Sequence, residues 1–202
     1  MNPAPEAAYV AFEGDRCIGS GELREVARSA RAALGRQPHA TILIFNGRTS
    51  ALVDVDFRGS ADEVVARIPL PEPPPAAEED AVAAARRGPG RPKLGVVARE
   101  ITLLPRHWDW LAQQKGGASV AIRKLIDEAR RTNAGADHIR LAQEAAYRFM
   151  TTMAGNRPHF EEAIRALFAP DAKRFEQLIG EWPADVRDHA ARLAAPAFAR
   201  DA

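Results

Sequence analysis

The sequence predicts an α+β protein with a small N-terminal α+β domain, a linker, a central strand-helix-helix segment and a C-terminal helical bundle. Three observations lead to this prediction. Apolar and β-branched runs alternate with turn residues before residue 58, a proline- and alanine-rich stretch follows, and apolar residues recur at helical spacing after residue 140. The predicted boundaries are 1–68 for the α+β domain, 69–95 for the linker, 96–131 for the central segment and 132–202 for the bundle.

The N-terminal segment is expected to fold in the order β-α-β-β-α. Asn46-Gly47 is a tight-turn dipeptide between two apolar runs, and Ser60 with Glu63 forms a capping box. Gly35 is placed to end the first helix. The predicted elements are a hairpin or a strand and loop at 9–21, a helix at 22–34, strands at 40–45 and 51–57, and a helix from 61 to 68.

After the linker and the central segment, the C-terminal part is expected to form three or four packed helices. Residues 69–90 contain almost no large apolar side chain, so they are interpreted as linker. Asp171 suits a helix N-cap, and Pro158 and Pro183 suit first-turn positions. The apolar stripes that predict the helices are Leu141, Ala145, Phe149 and Met153; Phe160, Ile164, Leu167 and Phe168; Phe175, Leu178 and Ile179; and Val186, Ala190 and Leu193.

The charge is distributed unevenly along the chain. The formal net charge is only +1, from 28 basic and 27 acidic residues. Residues 1–85 carry 8 basic and 13 acidic groups, residues 86–131 carry 11 and 4, and residues 132–202 carry 9 and 10. A local excess of seven positive charges is typical of a surface that meets nucleic-acid phosphates.

No pattern in the sequence predicts catalysis, a cofactor or a metal site. Cys17 is the single cysteine, which excludes an intrachain disulfide and four-thiolate zinc sites. Asp54 and Asp56 share a strand face, but a solvated face is the more economical interpretation. Neither a secretory signal nor an apolar run long enough to span a bilayer is present, so a cytoplasmic, non-membrane protein is expected. Because no catalytic pattern is found, it is also expected to be non-enzymatic.

Two motifs lie within the basic segment. The first is Arg86-Arg87-Gly88-Pro89-Gly90-Arg91-Pro92-Lys93, an extended basic run that resembles the AT-hook. Pro89 stands where the first core arginine of that motif belongs. The resemblance implies that Arg91 enters the minor groove of A·T-rich DNA, while Arg86, Arg87 and Lys93 contact phosphates. A basic linker without groove contact is the alternative.

The second motif, residues 99–131, resembles the ribbon-helix-helix fold of Arc- and MetJ-like repressors. A short strand ends at Leu104, Pro105 opens a helix, Gly116-Gly117 breaks it, and Ser119 caps a second helix. The resemblance implies that two chains pair their strands into a ribbon that reads the major groove, while the second helix start grips a phosphate. The helix residues that match its core side are Trp108 and Leu111, then Ile122, Leu125, Ile126 and Ala129.

The strand carries few groove-reading cations in either register. If Ile101 and Leu103 face inward, the groove meets Glu100 and Thr102; the opposite register presents Arg99 with two apolar side chains. Base reading and simple dimerisation therefore both stay open. The predicted DNA-contacting residues are Arg86, Arg87, Arg91, Lys93, Arg99, Thr102, Ser119, Arg123 and Lys124.

Across nearly the full length, the order of motifs resembles a family of bacterial proteins known as a domain of unknown function. The motifs are Gly-Arg-Pro-Lys at 90–93, Leu-Leu-Pro-Arg-His-Trp-Asp-Trp-Leu at 103–111 and Ala-Ala-Tyr-Arg-Phe-Met at 145–150. The resemblance implies a bacterial source but supplies no activity that could be carried over to this chain. We expect a homodimeric DNA-binding regulator of transcription, with a protein partner for the C-terminal helices; a non-enzymatic dimerisation or interaction protein is the alternative.

Overall fold

The computed structural model describes residues 8–69 and 99–199. The predicted linker from residue 70 and the whole AT-hook-like motif lie outside these residues. The described residues form three strands and seven helices, which is the predicted α+β class. The strands are β1 (Tyr9–Glu13), β2 (Arg16–Gly21) and β3 (Ile42–Asn46); the helices are α1 (Leu23–Arg36), α2 (Ala61–Arg67), α3 (Pro105–Ala112), α4 (Ala118–Ala154), α5 (Phe160–Phe168), α6 (Ala172–Ile179) and α7 (Ala184–Phe198).

The three strands form one antiparallel sheet in the order β2-β1-β3. The predicted hairpin at 9–21 is confirmed as β1 and β2, which a turn at Gly14 connects with φ +55°. Strand β1 is central, and Val10, Ala11 and Phe12 are all buried because both faces of the sheet are covered. A register shift between Ala11 and Phe12 marks a bulge against β2.

Two predicted boundaries in this region differ from the structure. Residues 51–57 make a single bridge, Phe45 to Leu52, so the order is β-β-α-β-α. Helix α1 runs through Gly35 to Arg36, and the Gln37 N–H closes it on the Ala33 carbonyl. The capping box of α2 is confirmed: Ser60 Oγ accepts from the Glu63 N–H at 3.3 Å, and Glu63 Oε2 accepts from the Ser60 N–H at 2.7 Å.

Residues 8–68 and 133–199 belong to one compact unit, although the sequence prediction assigned them to separate domains. The alternation of β1 explains the shared core. Ala11 packs with Val26 and Ala30 of α1 on one face. Val10 and Phe12 pack on the other face against the buried side chains of the C-terminal helices. A three-stranded sheet with two apolar faces needs a cover on both.

The C-terminal helices begin close to the predicted positions. The Asp171 cap is confirmed, since its Oδ1 accepts from the Arg174 N–H at 3.1 Å. Pro183 directly precedes α7, and the Trp182 indole N–H donates to the Pro158 carbonyl at 2.9 Å. Ala145, Phe149 and Met153 are buried as the stripe predicts, whereas Leu141 at the start of the same stripe is exposed.

Residues 99–132 belong to a second compact unit, and the division between the units falls within α4. This unit contains α3 and the first four turns of α4, joined by a glycine turn. No helix in residues 8–69 or 99–199 combines the length and apolar character needed to cross a membrane.

Candidate nucleic-acid interface

The predicted DNA-contacting residues that the structure describes are all exposed. Arg86, Arg87, Arg91 and Lys93 lie outside the described residues. Arg99 and Thr102 lie in the extended segment before α3; Ser119, Arg123 and Lys124 lie in the first two turns of α4. The structure therefore places the predicted residues that it describes within a single unit.

The predicted strand at 99–104 is not hydrogen-bonded as a strand, and Leu104 at its end has extended dihedrals of φ −67° and ψ 151°. A β-strand exists only when its backbone N–H and C=O groups have a partner strand. Residues 99–132 contain no strand that could pair with this segment. In the ribbon that the resemblance implies, the partner strand comes from another chain. Leu104 ends the segment as the N-cap of α3, and Pro105 occupies the first helical turn as predicted.

The face that α3 turns toward α4 differs from the predicted one. His107, Trp110 and Leu111 line a groove between the helices, and Leu111 is the buried member. Trp108, which the prediction placed on the core side, is 42% exposed and does not line the groove. Residues at positions 107, 110 and 111 lie on one face of a helix, because they are three and four positions apart. Residue 108 lies about 100° further around the helix axis from residue 107.

The turn between the helices depends on two glycines. Gly116 and Gly117 have φ values of +94° and +77°. The positive φ of Gly116 disfavours any other residue at this position. A Cβ there would also lie 3.2 Å from the Val120 Cβ, which is closer than an ordinary van der Waals contact. The turn brings the chain into α4, where the Val120 and Ala121 N–H groups bond to the Gly117 carbonyl.

Ser119 lies inside the first turn of α4 and is not its cap, because the helix begins at Ala118. The Arg123 Nε–H donates to the Ser119 carbonyl at 3.1 Å. This bond holds the guanidinium one turn from the helix start, where backbone N–H groups and the helix dipole already favour an anion. Sequence reasoning predicted the two residues but not the bond that joins them.

The electrostatics of this unit are positive. Residues 99–132 carry seven basic and four acidic side chains, a net charge of +3. Within the described residues, the ion pair of this unit is Arg131 to Glu128 at 2.7 Å. The exposed arginines and lysines at 99, 106, 115, 123, 124 and 130 form no ion pair with another described residue.

Between α3 and α4 lies an open groove of about 440 Å³. Its walls are apolar except for one histidine. Trp110 of α3 is 48% exposed. Leu125 and Ile126 of α4 are 53% and 51% exposed, so the predicted core side of α4 is half open to solvent. The lining residues are Ile101, Leu103, His107, Trp110, Leu111, Ile122, Leu125, Ile126 and Ala129.

The surroundings of the other candidate residues, Asp54, Asp56 and Cys17, do not favour metal binding or nucleophilic catalysis. The side chain of Arg58 bonds to Asp56 at 2.8 and 2.9 Å and lowers the pKa of that carboxyl, while Asp54 is exposed. No group of three potential metal ligands occurs among the residues that the structure describes. Cys17 lies on edge strand β2, and partial desolvation raises the pKa of its thiol, which disfavours the reactive thiolate.

A family described as "Uncharacterized protein conserved in bacteria (DUF2239)" matches residues 8–194. No curated protein and no solved structure matches the chain.

Proposed function

Because the chain belongs to the DUF2239 family of proteins conserved in bacteria, whose description names no activity, we propose its function from the geometry of residues 99–132. The proposed function is non-enzymatic. The protein binds duplex DNA as a dimer, contacts phosphates through its basic central module, and regulates transcription.

The observation that carries the proposal is the pair of exposed cations near the start of α4. Arg123 and Lys124 are exposed, and the Arg123 guanidinium bonds to the Ser119 carbonyl at 3.1 Å. Phosphate oxygens bind favourably where helix N–H groups and cationic side chains converge. Arg99 and Thr102 in the extended segment are further exposed contacts from the same unit.

Arg86, Arg87, Arg91 and Lys93 extend the proposed module along the sequence. They lie among the 11 basic residues of 86–131, a stretch with only four acidic residues. In the proposal, Arg91 reads the minor groove and the other three residues neutralise phosphates. Phosphate contacts supply affinity, whereas base reading by Thr102 supplies sequence preference.

The test is a fluorescence-anisotropy titration of full-length protein on a mixed-sequence duplex. Removing two cations with Arg123→Gln and Lys124→Gln should weaken binding and reduce the slope of log K against log salt by about one per lost contact. Arg165→Gln, which removes a cation that is 74% exposed on α5, is the matched control and should leave affinity unchanged. Equal losses in both variants would contradict the assignment of this surface.

The second candidate function is that of a protein-protein interaction module. Exposed apolar side chains favour it, because contiguous exposed apolar groups mark interaction surfaces. Trp108 and Leu104 lie exposed outside the groove. On the C-terminal helices the exposed rings of Tyr147 and Phe168 contact each other with centroids 6.0 Å apart, which is where a protein partner would dock. A dimer without affinity for duplex DNA would favour this function.

A further inference from the structure

Because the groove between α3 and α4 is open, residues 99–132 bury very few apolar side chains. Among residues 99–132 only Leu111 and Ala121 are buried. A core this small usually needs additional support from a metal, a disulfide or another chain. Cys17 lies outside this unit and is the one cysteine, and residues 99–132 contain no group of metal ligands, which favours another chain.

The extended segment makes a second copy of the chain the fitting occupant. Ile101 and Leu103 line the groove, whereas Thr102 between them does not, and Ile101 is still 56% exposed. Antiparallel pairing of two such segments about Thr102 places each Ile101 opposite a Leu103, and it gives a partner to backbone groups that form no hydrogen bond with another described residue. Leu125 and Ile126, which line the same groove, are half exposed and offer apolar surface for the second copy to cover.

His107 is the titratable side chain among the residues that line the groove. Within the described residues no hydrogen bond engages its imidazole. The charged neighbours on each element occupy positions that do not line the groove: Arg99 and Glu100 on the extended segment, Arg106 and Asp109 on α3, and Arg123, Lys124, Asp127, Glu128 and Arg130 on α4. Closing the groove would leave this imidazole without a carboxylate partner among the groove-lining residues.

We propose that a second copy of the chain closes this groove and that its association weakens in acid because it buries His107 against apolar side chains. The inference rests on the proposed dimer but not on DNA binding. An imidazolium must lose its hydration to enter an apolar interface, whereas the neutral ring is buried at much lower cost. Acid would thus dissociate the dimer. The two cationic surfaces would then no longer be held in a two-fold arrangement.

The experiment measures the dimer dissociation constant of the full chain by analytical ultracentrifugation at about pH 8 and about pH 5.5. A histidine that titrates near 6.5 in water and is held neutral in a complex weakens the complex about tenfold at the lower pH, and two such sites about a hundredfold. We expect a rise in the dissociation constant between these two values. His107→Leu should dimerise with little dependence on pH, whereas His138→Leu, at an exposed position on α4 outside the groove, should keep the full dependence.

Leu125→Glu tests the surface itself and should give a monomer at both pH values. Circular dichroism and the fluorescence of Trp182, which lies in the other unit, show whether the rest of the variant folds. A wild-type monomer at about pH 8 would overturn the proposal and leave the groove to a different protein. A Leu125→Glu dimer, or an unchanged pH dependence in His107→Leu, would overturn it as well. DNA affinity at about pH 8 is measured separately, so its absence would contradict only the proposed function.

Discussion

At the scale of single residues, His189 of α7 is a titratable group inside the main core. It is 4% exposed, and its ring centroid lies 5.6 Å from that of Phe12 and 4.5 Å from that of Phe149. Arg192 Nη2 lies 2.8 Å from Nδ1, which must accept and therefore be unprotonated, while Nε2 has no hydrogen-bond partner among the residues that the structure describes. Burial and the adjacent guanidinium lower the pKa of His189 to about 4.

This lowered pKa predicts a loss of stability in acid. Above about pH 6.5 both the folded and the unfolded chain hold a neutral ring, so the stability is intact. Between that pH and the folded pKa of about 4, only the unfolded chain binds the proton, and the free energy of unfolding falls as pH falls, by roughly 3 kcal/mol in total. Denaturant unfolding at several pH values measures the slope.

His189→Met is the matched variant, because it fills a similar volume without titrating. Its free energy of unfolding should fall less steeply than that of the wild type between about pH 6.5 and 4. Identical slopes in the two proteins would show that His189 is not the group responsible.

A second prediction at this scale concerns Arg91, which lies outside the described residues. Arg91→Ala should weaken binding to A·T-rich duplex more than binding to G·C-rich duplex, because only the narrow A·T minor groove receives an inserted arginine favourably. Competition titrations with both duplexes measure the ratio. An equal loss on both would reduce Arg91 to a phosphate contact.

At the scale of elements, the turn from α3 to α4 sets the groove and the cationic helix start together. Gly116→Ala should destabilise this unit by about 1–3 kcal/mol, because alanine disfavours φ +94° and its Cβ would meet Val120. Gly117→Asn is the control, since nothing lies within 4 Å of a Cβ there and asparagine tolerates positive φ. Denaturant unfolding followed by tryptophan fluorescence compares them, and a stability of Gly116→Ala equal to wild type would contradict the steric account.

The elements that sequence patterns predicted are those fixed by local chemistry. The capping box at Ser60, the N-cap at Asp171 and the hairpin around Gly14 depend on neighbouring residues, so local sequence is sufficient. Elements that depend on a distant partner were predicted less well. Residues 51–57 make one bridge and residues 99–104 none, because strand pairing is decided by tertiary contacts.

The candidate site shows the same limit. The helical period predicted the apolar face of α4 at Leu125 and Ile126, but it could not show that this face is half exposed. The ribbon-helix-helix resemblance placed Trp108 on the core side of the first helix, whereas the groove is lined by His107, Trp110 and Leu111 and Trp108 is 42% exposed.

At the scale of the whole molecule, the described residues divide into two compact units, one formed by 8–68 with 133–199 and the other containing 99–132. In the first unit, residues remote in sequence are in contact, as when the Cys17 N–H donates to Asp185 Oδ2 at 2.7 Å across 168 positions. No local pattern predicts such contacts, which is why the sequence indicated two domains there. The other unit carries the groove and the cations of the proposed interface.

The most direct test of DNA binding is the affinity of the full-length protein for a mixed-sequence duplex at about 50 mM and about 200 mM salt. Contacts to phosphates release counterions, so we predict binding at the lower salt and a loss of at least tenfold at the higher. Absence of binding at low salt, or an affinity indifferent to salt, would contradict the account.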